Sequence, residues 1–249
     1  MIIKKSGQKN PSFDEEYHHD QKDPHKKSWN LSEVILGGQD GLVNVLGVIL
    51  GVAAATNDVR VVMVAGLAAT FAESISMGAV AYTSTLADAD FYESEREREY
   101  RHIQSVPNLE KEEIREIYQN KGFHGDLLEK VVDTITANED IWVAVMMAEE
   151  HKLTPADRGS AFKSAVIVGV SAIIGSIVPL IPFIFLPIGW SMIASVILTA
   201  FVLFIVGAYK AHVTVGKPAR SGIEIALIGT ISALAGYAAG ALLKVPATP

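Results

Sequence analysis

The chain has 249 residues, 49% of them hydrophobic, no cysteine and a formal charge of -7, with a mean hydropathy of +0.28. The acidic balance gives nucleic-acid binding no electrostatic support, and the missing cysteines exclude disulfides and thiolate metal sites. Apolar residues are concentrated in two regions, about 34–82 and 161–243, whereas 83–160 reads like a water-soluble segment; the length suits one or two domains.

Residues 1–28 form a polar arm with six lysines and three histidines, His18, His19 and His25. Its plain reading is a solvated arm, and its sharper one a metal-collecting tail. No apolar core follows the lysines, so the arm does not read as a secretory signal peptide. Trp29 and Leu31 read as an interfacial anchor ahead of the first span.

The first span is predicted over Val34 to Thr56, enough to cross ~30 Å of hydrocarbon at ~1.5 Å per residue. Gly37 with Gly41, and Gly47 with Gly51, form two small-xxx-small pairs suited to close helix contact. Asn57 and Asp58 make a short turn, and a second span runs from Val59 to about Tyr82. No proline or glycine follows Gly78 before His102, so this span is predicted to continue as one long helix into the polar segment. Pro107-Asn108 interrupts it. Asn108 is expected to cap a helix over 109–120 stopped by Gly122, a further helix covers about 126–137, and Asn138 is expected to cap EDIWVAVMMAEEHK.

The third span is predicted over about 161–181, ending near Pro179 and Pro182. The fourth covers about 188–209 and the fifth about 222–243. Lys210, Lys217 and Arg220 mark the turn between them, with His212 as a loop residue. Five spans put the termini on opposite sides. Nineteen of the 21 lysines and arginines fall in the arm, the polar segment or the 210–220 loop, against Arg60 and Lys244 elsewhere. The positive-inside rule therefore puts the arm, the polar segment and that loop in the cytoplasm.

Residues 83–159 hold eighteen acidic against nine basic side chains. At helical spacing Glu99 shares a face with His102, and Glu110 with Glu113, while Met146, Met147 and Glu150 can converge. Carboxylate, imidazole and thioether together suit a borderline divalent ion such as iron(II), manganese or zinc, whereas calcium prefers oxygen alone. Against this stands the ordinary reading that acid-rich helices are a solvated face and paired methionines are core. Ionisable groups inside a span face a bundle interior or an aqueous path. Asp40 with Asn44, and Glu73 with Met77, offer such half-polar faces on consecutive spans. Glu33 lies near the cytoplasmic mouth, and Glu224 reads as a solvated or structural group. The alternative for the spans is a structural carboxylate bonded to a neighbouring helix.

The runs GGQDGLVNVLGVILGVAAAT, ESISMGAVAYTS and WVAVMMAEEHKL, in this order, resemble the vacuolar iron transporter family of plants, yeast and microbes over about 30–245. The resemblance implies an all-α membrane protein: a homodimer of five-helix protomers that exchanges a divalent metal, mainly iron(II), for protons. A cytoplasmic helical metal-binding domain would be inserted between spans 2 and 3. The expected division is arm 1–28, spans 1 and 2 in 29–82, metal-binding domain 83–159 and spans 3 to 5 in 160–249. The family's transmembrane aspartate and methionine fall on Asp40 and Met77; Glu73, Asn44 and Glu33, read from their places in the spans, are expected along the same path. Its cytoplasmic ligands fall on Glu99, Glu110, Glu113, Met146, Met147 and Glu150, and His102 stands where a glutamate is expected.

The expectation is thus a transporter and not an enzyme, with no permanent cofactor, carrying iron(II), with manganese, zinc or cobalt as further cargo. It would sit in the plasma (inner) membrane of a prokaryote or the vacuolar membrane of a eukaryote. Two other functions compete. Glu99-x-x-His102 fits half of a di-iron oxidase site, and the intramembrane carboxylates would also serve a passive channel or sensor.

Overall fold

The computed structural model describes residues 31–214 and 216–243. The polar arm, its three histidines, Trp29 and Lys244 lie outside them. Among the described residues the chain is all helical, and five of its helical segments are long and apolar enough to cross a membrane.

Helix α1 (Leu31–Thr56) ends at Asn57, whose φ of 52° is one that asparagine tolerates. Asp58 then caps α2 (Val59–Ser105), its carboxylate accepting from the Arg60 amide at 2.7 Å. Helix α2 has 47 residues, a rod of ~70 Å, more than twice the hydrocarbon thickness. The expected passage from apolar span to acidic helix without a break is what the structure has.

The two glycine pairs of α1 serve different neighbours. A Cβ on Gly37 or Gly41 would collide with the Val168 and Ala172 carbonyls of α6 (Ala161–Ile177). A Cβ on Gly51 would meet the Gly236 carbonyl of α9 (Pro218–Leu242) at 2.8 Å, and one on Gly236 would strike Gly47. Backbones this close gain dispersion contacts that larger side chains would block. Helix α2 packs along α6, where a Cβ on Gly78 would lie 3.1 Å from the Ala165 carbonyl. Val45, Leu46, Ile49, Leu50, Val62, Leu180 and Phe183 fill the membrane core. Phe71, Ile75, Phe162, Ile174, Phe201 and Ile231 are exposed, too much apolar surface to leave in water but suited to lipid.

The third span departs from expectation. Pro179 and Pro182 do not end it. Helix α6 passes into a 3-10 turn, Val178–Leu180, and then α7 (Ile181–Phe185), each proline sitting in a first turn where its missing N–H costs nothing. Hydroxyls of α8 (Ile188–Val213) take up the backbone carbonyls: Ser195 Oγ donates to Pro179 O at 2.7 Å and Ser191 Oγ to Leu186 O at 2.8 Å. His212, expected in a loop, lies in the last turn of α8, and α9 starts earlier than expected because Pro218 can occupy its first turn.

Between spans 2 and 3 lie α3 (Pro107–Asn120), α4 (Gly125–Thr136) and α5 (Glu139–Glu149). Asn108 is not the cap of α3. Val106 holds that position and Pro107 begins the helix, its fixed φ suited to a first turn. Asn138 does cap α5, accepting from the Ile141 amide at 3.0 Å. Ile103 of α2 joins Ile114, Leu128, Val132, Ile135, Trp142, Val143, Met146 and Met147 in one small core. Polar ties hold its rim: Arg115 with Glu129 at 2.9 Å, Lys111 with Asp133 at 2.7 Å, and the Tyr100 hydroxyl donating to Asp140 at 2.6 Å.

Candidate metal centre

The run ESERERE, Glu93 to Glu99, sorts itself by helix face. Arg96 pairs with Glu93 at 3.1 Å on the exposed face of α2, and Arg98 pairs one turn back with the largely covered Glu95 at 2.5 Å. Glu99 turns inward and is only 1% exposed. Glu110, in the first turn of α3, is 3% exposed. The two carboxyl groups face each other, with Glu113 one turn further along α3 at the same place. Glu150, at the end of α5, lies among Glu113, Glu99, His151 and His102.

Burying carboxylates together is costly unless positive charge compensates them. Among the described residues no lysine or arginine pairs with Glu99 or Glu110. Instead His102 Nδ1 lies 3.6 Å from Glu110 Oε1, and His151 Nε2 lies 3.1 Å from Glu99 Oε2. Glu99 Oε1 and Glu110 Oε2 are buried with no hydrogen-bond partner. Burial pushes the Glu110 carboxyl up to about 8, with Glu99 and Glu113 adding to the rise. Burial, then Glu113, also raises Glu150. Glu99, Glu150 and His151 can each bring one ligand atom within 4.8 Å of the others. Two orphaned carboxylate oxygens, further carboxylates and two imidazoles form a donor set that a divalent cation would complete.

The structure thus brings together Glu99, His102, Glu110, Glu113 and Glu150. Met146 and Met147 are fully buried in the apolar core of these helices. Sequence reasoning missed His151. It lies beyond the last turn of α5, where helical spacing no longer predicts direction. Lys152 takes a left-handed φ of 56° and Leu153 N–H closes onto Met147 O at 2.9 Å. The available signal was a histidine directly after Glu150 in an otherwise acidic segment.

In the membrane, Asp40 of α1 lies against Glu73 of α2 and against Asn44 one turn along its own helix. Met77, one turn beyond Glu73, is half-buried, while Asn44 is exposed on the single chain. Glu33 stands apart from this pair: Ser164 Oγ of α6 donates to its Oε1, and its Oε2 is buried without a partner. Glu224 forms an exposed pair with Arg220 at 2.9 Å.

The sequence profile of the VIT family matches residues 31–241. The chain is similar to Vacuolar iron transporter 1 of Arabidopsis thaliana, 33% identical over 208 residues and 83% of each chain. Vacuolar iron transporter 1 of Oryza sativa subsp. japonica is 33% identical over 222 residues, 88% of each chain. Vacuolar iron transporter of Plasmodium falciparum is 30% identical over 225 residues, 86% of this chain and 82% of its own.

Proposed function

This chain belongs to the VIT family, and on that premise we propose that it carries iron(II) out of the cytoplasm in exchange for protons. The family is one of membrane transporters, which leaves the oxidase reading without support. The observation that carries the proposal is the pair of buried carboxylates, Glu99 and Glu110, each with an unpartnered oxygen and neither paired with a lysine or arginine.

In this reading α3 to α5 and the outer half of α2 face the cytoplasm and collect metal, raising its concentration at the mouth of the path. Glu99, Glu110, Glu113, Glu150 and His102 supply ligands, with Met146 and Met147 as soft neighbours. The ion then passes to Asp40 and Met77, where a carboxylate and a thioether replace part of its hydration shell. Binding there must be strong enough to admit the ion and weak enough to release it. Asp40 and Glu73 lie against each other, and in this reading the pair exchanges a proton for the metal. Metal arriving displaces that proton, which couples the two flows. Manganese, cobalt and zinc are further cargo that the donor set accommodates. A second copy is proposed to cover α1, because the exposed Asn44 amide would otherwise face lipid. The host membrane is the plasma (inner) membrane in a prokaryote or the vacuolar membrane in a eukaryote.

The test is iron(II) flux in proteoliposomes with an imposed pH gradient. Wild type should move iron(II) against counterflowing protons, and Asp40→Ala should not. Unchanged flux in Asp40→Ala removes Asp40 from the path. Flux that follows only the metal gradient makes the protein a channel.

A further inference from the structure

Glu99 has a buried oxygen on each side of its carboxyl carbon, and the two have different fates. Oε1 has no partner, whereas Oε2 meets His151 Nε2 at 3.1 Å. Two ligands at right angles on one ion, with bonds of ~2.1 Å, stand ~3 Å apart, so this oxygen and nitrogen are already spaced to share a cation. The His151 side chain is 19% exposed, sheltered but reachable. His102 Nδ1 likewise approaches Glu110 Oε1 at 3.6 Å. A nitrogen donor therefore stands beside each of the two buried carboxylates.

We propose that His151, with His102 as its counterpart, is a direct metal ligand that makes this centre a mixed nitrogen–oxygen cage selective for zinc(II), cobalt(II) and iron(II) over manganese(II). The inference rests on the reading of these helices as a metal-collecting site and names what sets its preference. Oxygen cages discriminate weakly among first-row ions, and calcium and manganese suit them well. Imidazole favours the later metals of the series, so each nitrogen widens the gap from manganese. His151 also sits on the segment after α5 while Glu99 sits on α2, so an ion shared between them ties the two elements together.

The experiment titrates zinc(II), cobalt(II) and manganese(II) into the full chain in detergent and records the visible spectrum of bound cobalt. Glu99→Gln serves as the background that lacks the centre. His151→Ala should weaken zinc and cobalt by more than the roughly 10–100-fold that loss of a ligand's hydrogen-bond partner alone costs, and manganese by much less, compressing the metal preference. His151→Cys supplies the control for folding: the chain has methionines but no cysteine of its own, so a thiolate-to-cobalt charge-transfer band can arise only at this position. Recovered cobalt affinity with that band establishes His151 as a ligand. If cobalt binds His151→Ala with wild-type affinity and spectrum while Glu99→Gln loses it, the role of His151 falls and the collecting site stands. If wild type binds no more metal than Glu99→Gln, the collecting site itself falls.

Discussion

Glu99 Oε2 and His151 Nε2 lie 3.1 Å apart although 52 residues separate them in sequence. The contact pins the segment after α5 to the long helix and leaves the other Glu99 oxygen without a partner. A buried polar atom left without a hydrogen-bond partner costs about 1–3 kcal/mol, a cost that an apolar side chain of similar size would remove. Glu99→Met is therefore expected to raise the thermal midpoint of the metal-free protein. Saturating zinc(II) should stabilise wild type by about 2.7 kcal/mol at a hundredfold excess over Kd and leave Glu99→Met much less affected. Differential scanning fluorimetry with and without chelator reads both effects.

The pH response follows from Glu110. Its carboxyl titrates near 4.5 when unfolded and about 8 when folded, so between these values the folded chain holds the extra proton. Stability of the metal-free protein should then fall as pH rises through this window and level off above it. Metal affinity should move the opposite way, rising as protons leave. Glu110→Gln is expected to flatten the stability profile and abolish most proton release on metal addition. Thermal melts across the window, and calorimetry in buffers of different ionisation enthalpy, check the two halves.

Gly38 and Gly41 provide a matched pair. A methyl on Gly38 would sit 3.7 Å from the Ser171 carbonyl, an ordinary contact, whereas one on Gly41 would press on the Ala172 carbonyl and lie 2.6 Å from Ser176 Oγ. Gly41→Ala should destabilise by about 1–3 kcal/mol through overpacking, and Gly38→Ala should be near neutral. Thermal unfolding in detergent separates them, and equal losses would break the assignment of the α1–α6 contact.

Lys152 is an unusual residue for its backbone, with φ of 56°. Its left-handed turn aims His151 at Glu99. Lys152→Gly should keep that turn and change stability by less than about 1 kcal/mol, while Lys152→Val should lose about 1–2 kcal/mol. Cobalt affinity is expected to fall in Lys152→Val and to be retained in Lys152→Gly.

How far the sequence could be read depended on whether a residue's neighbours were local. The five spans and the unbroken α2 follow from apolar length and the lack of helix breakers after Gly78. The glycine pairs of α1 announced close packing, though not that each pair serves a different helix. Pro179 and Pro182 misled because a proline ends one hydrogen-bond ladder yet can begin the next, and the hydroxyls that make this work sit on another helix. Val106 took the cap from Asn108 because Pro107 suits a first helical turn. Spacing of three residues put Glu99 on one face with His102 and Glu110 with Glu113, but that the two faces belong together came only from the family resemblance. His151 was not legible, because its direction comes from a turn and its partner from a distant helix.

The unbroken length of α2 has a mechanical consequence. Met77 and Glu99 are separated by ~33 Å of helix at ~1.5 Å per residue, with no proline or glycine between Gly78 and Pro107 to serve as a joint. A stiff shaft of that length works as a lever: a tilt of ~5° at the membrane end sweeps the far end through ~3 Å, more than a whole metal–ligand bond. In the transport cycle proposed above, a tilt of the second span would carry Glu99 with it, together with the small helices that share a core with Ile103 of α2. On that reading, movement at the membrane end of α2 would be transmitted over this whole length to the proposed collecting site.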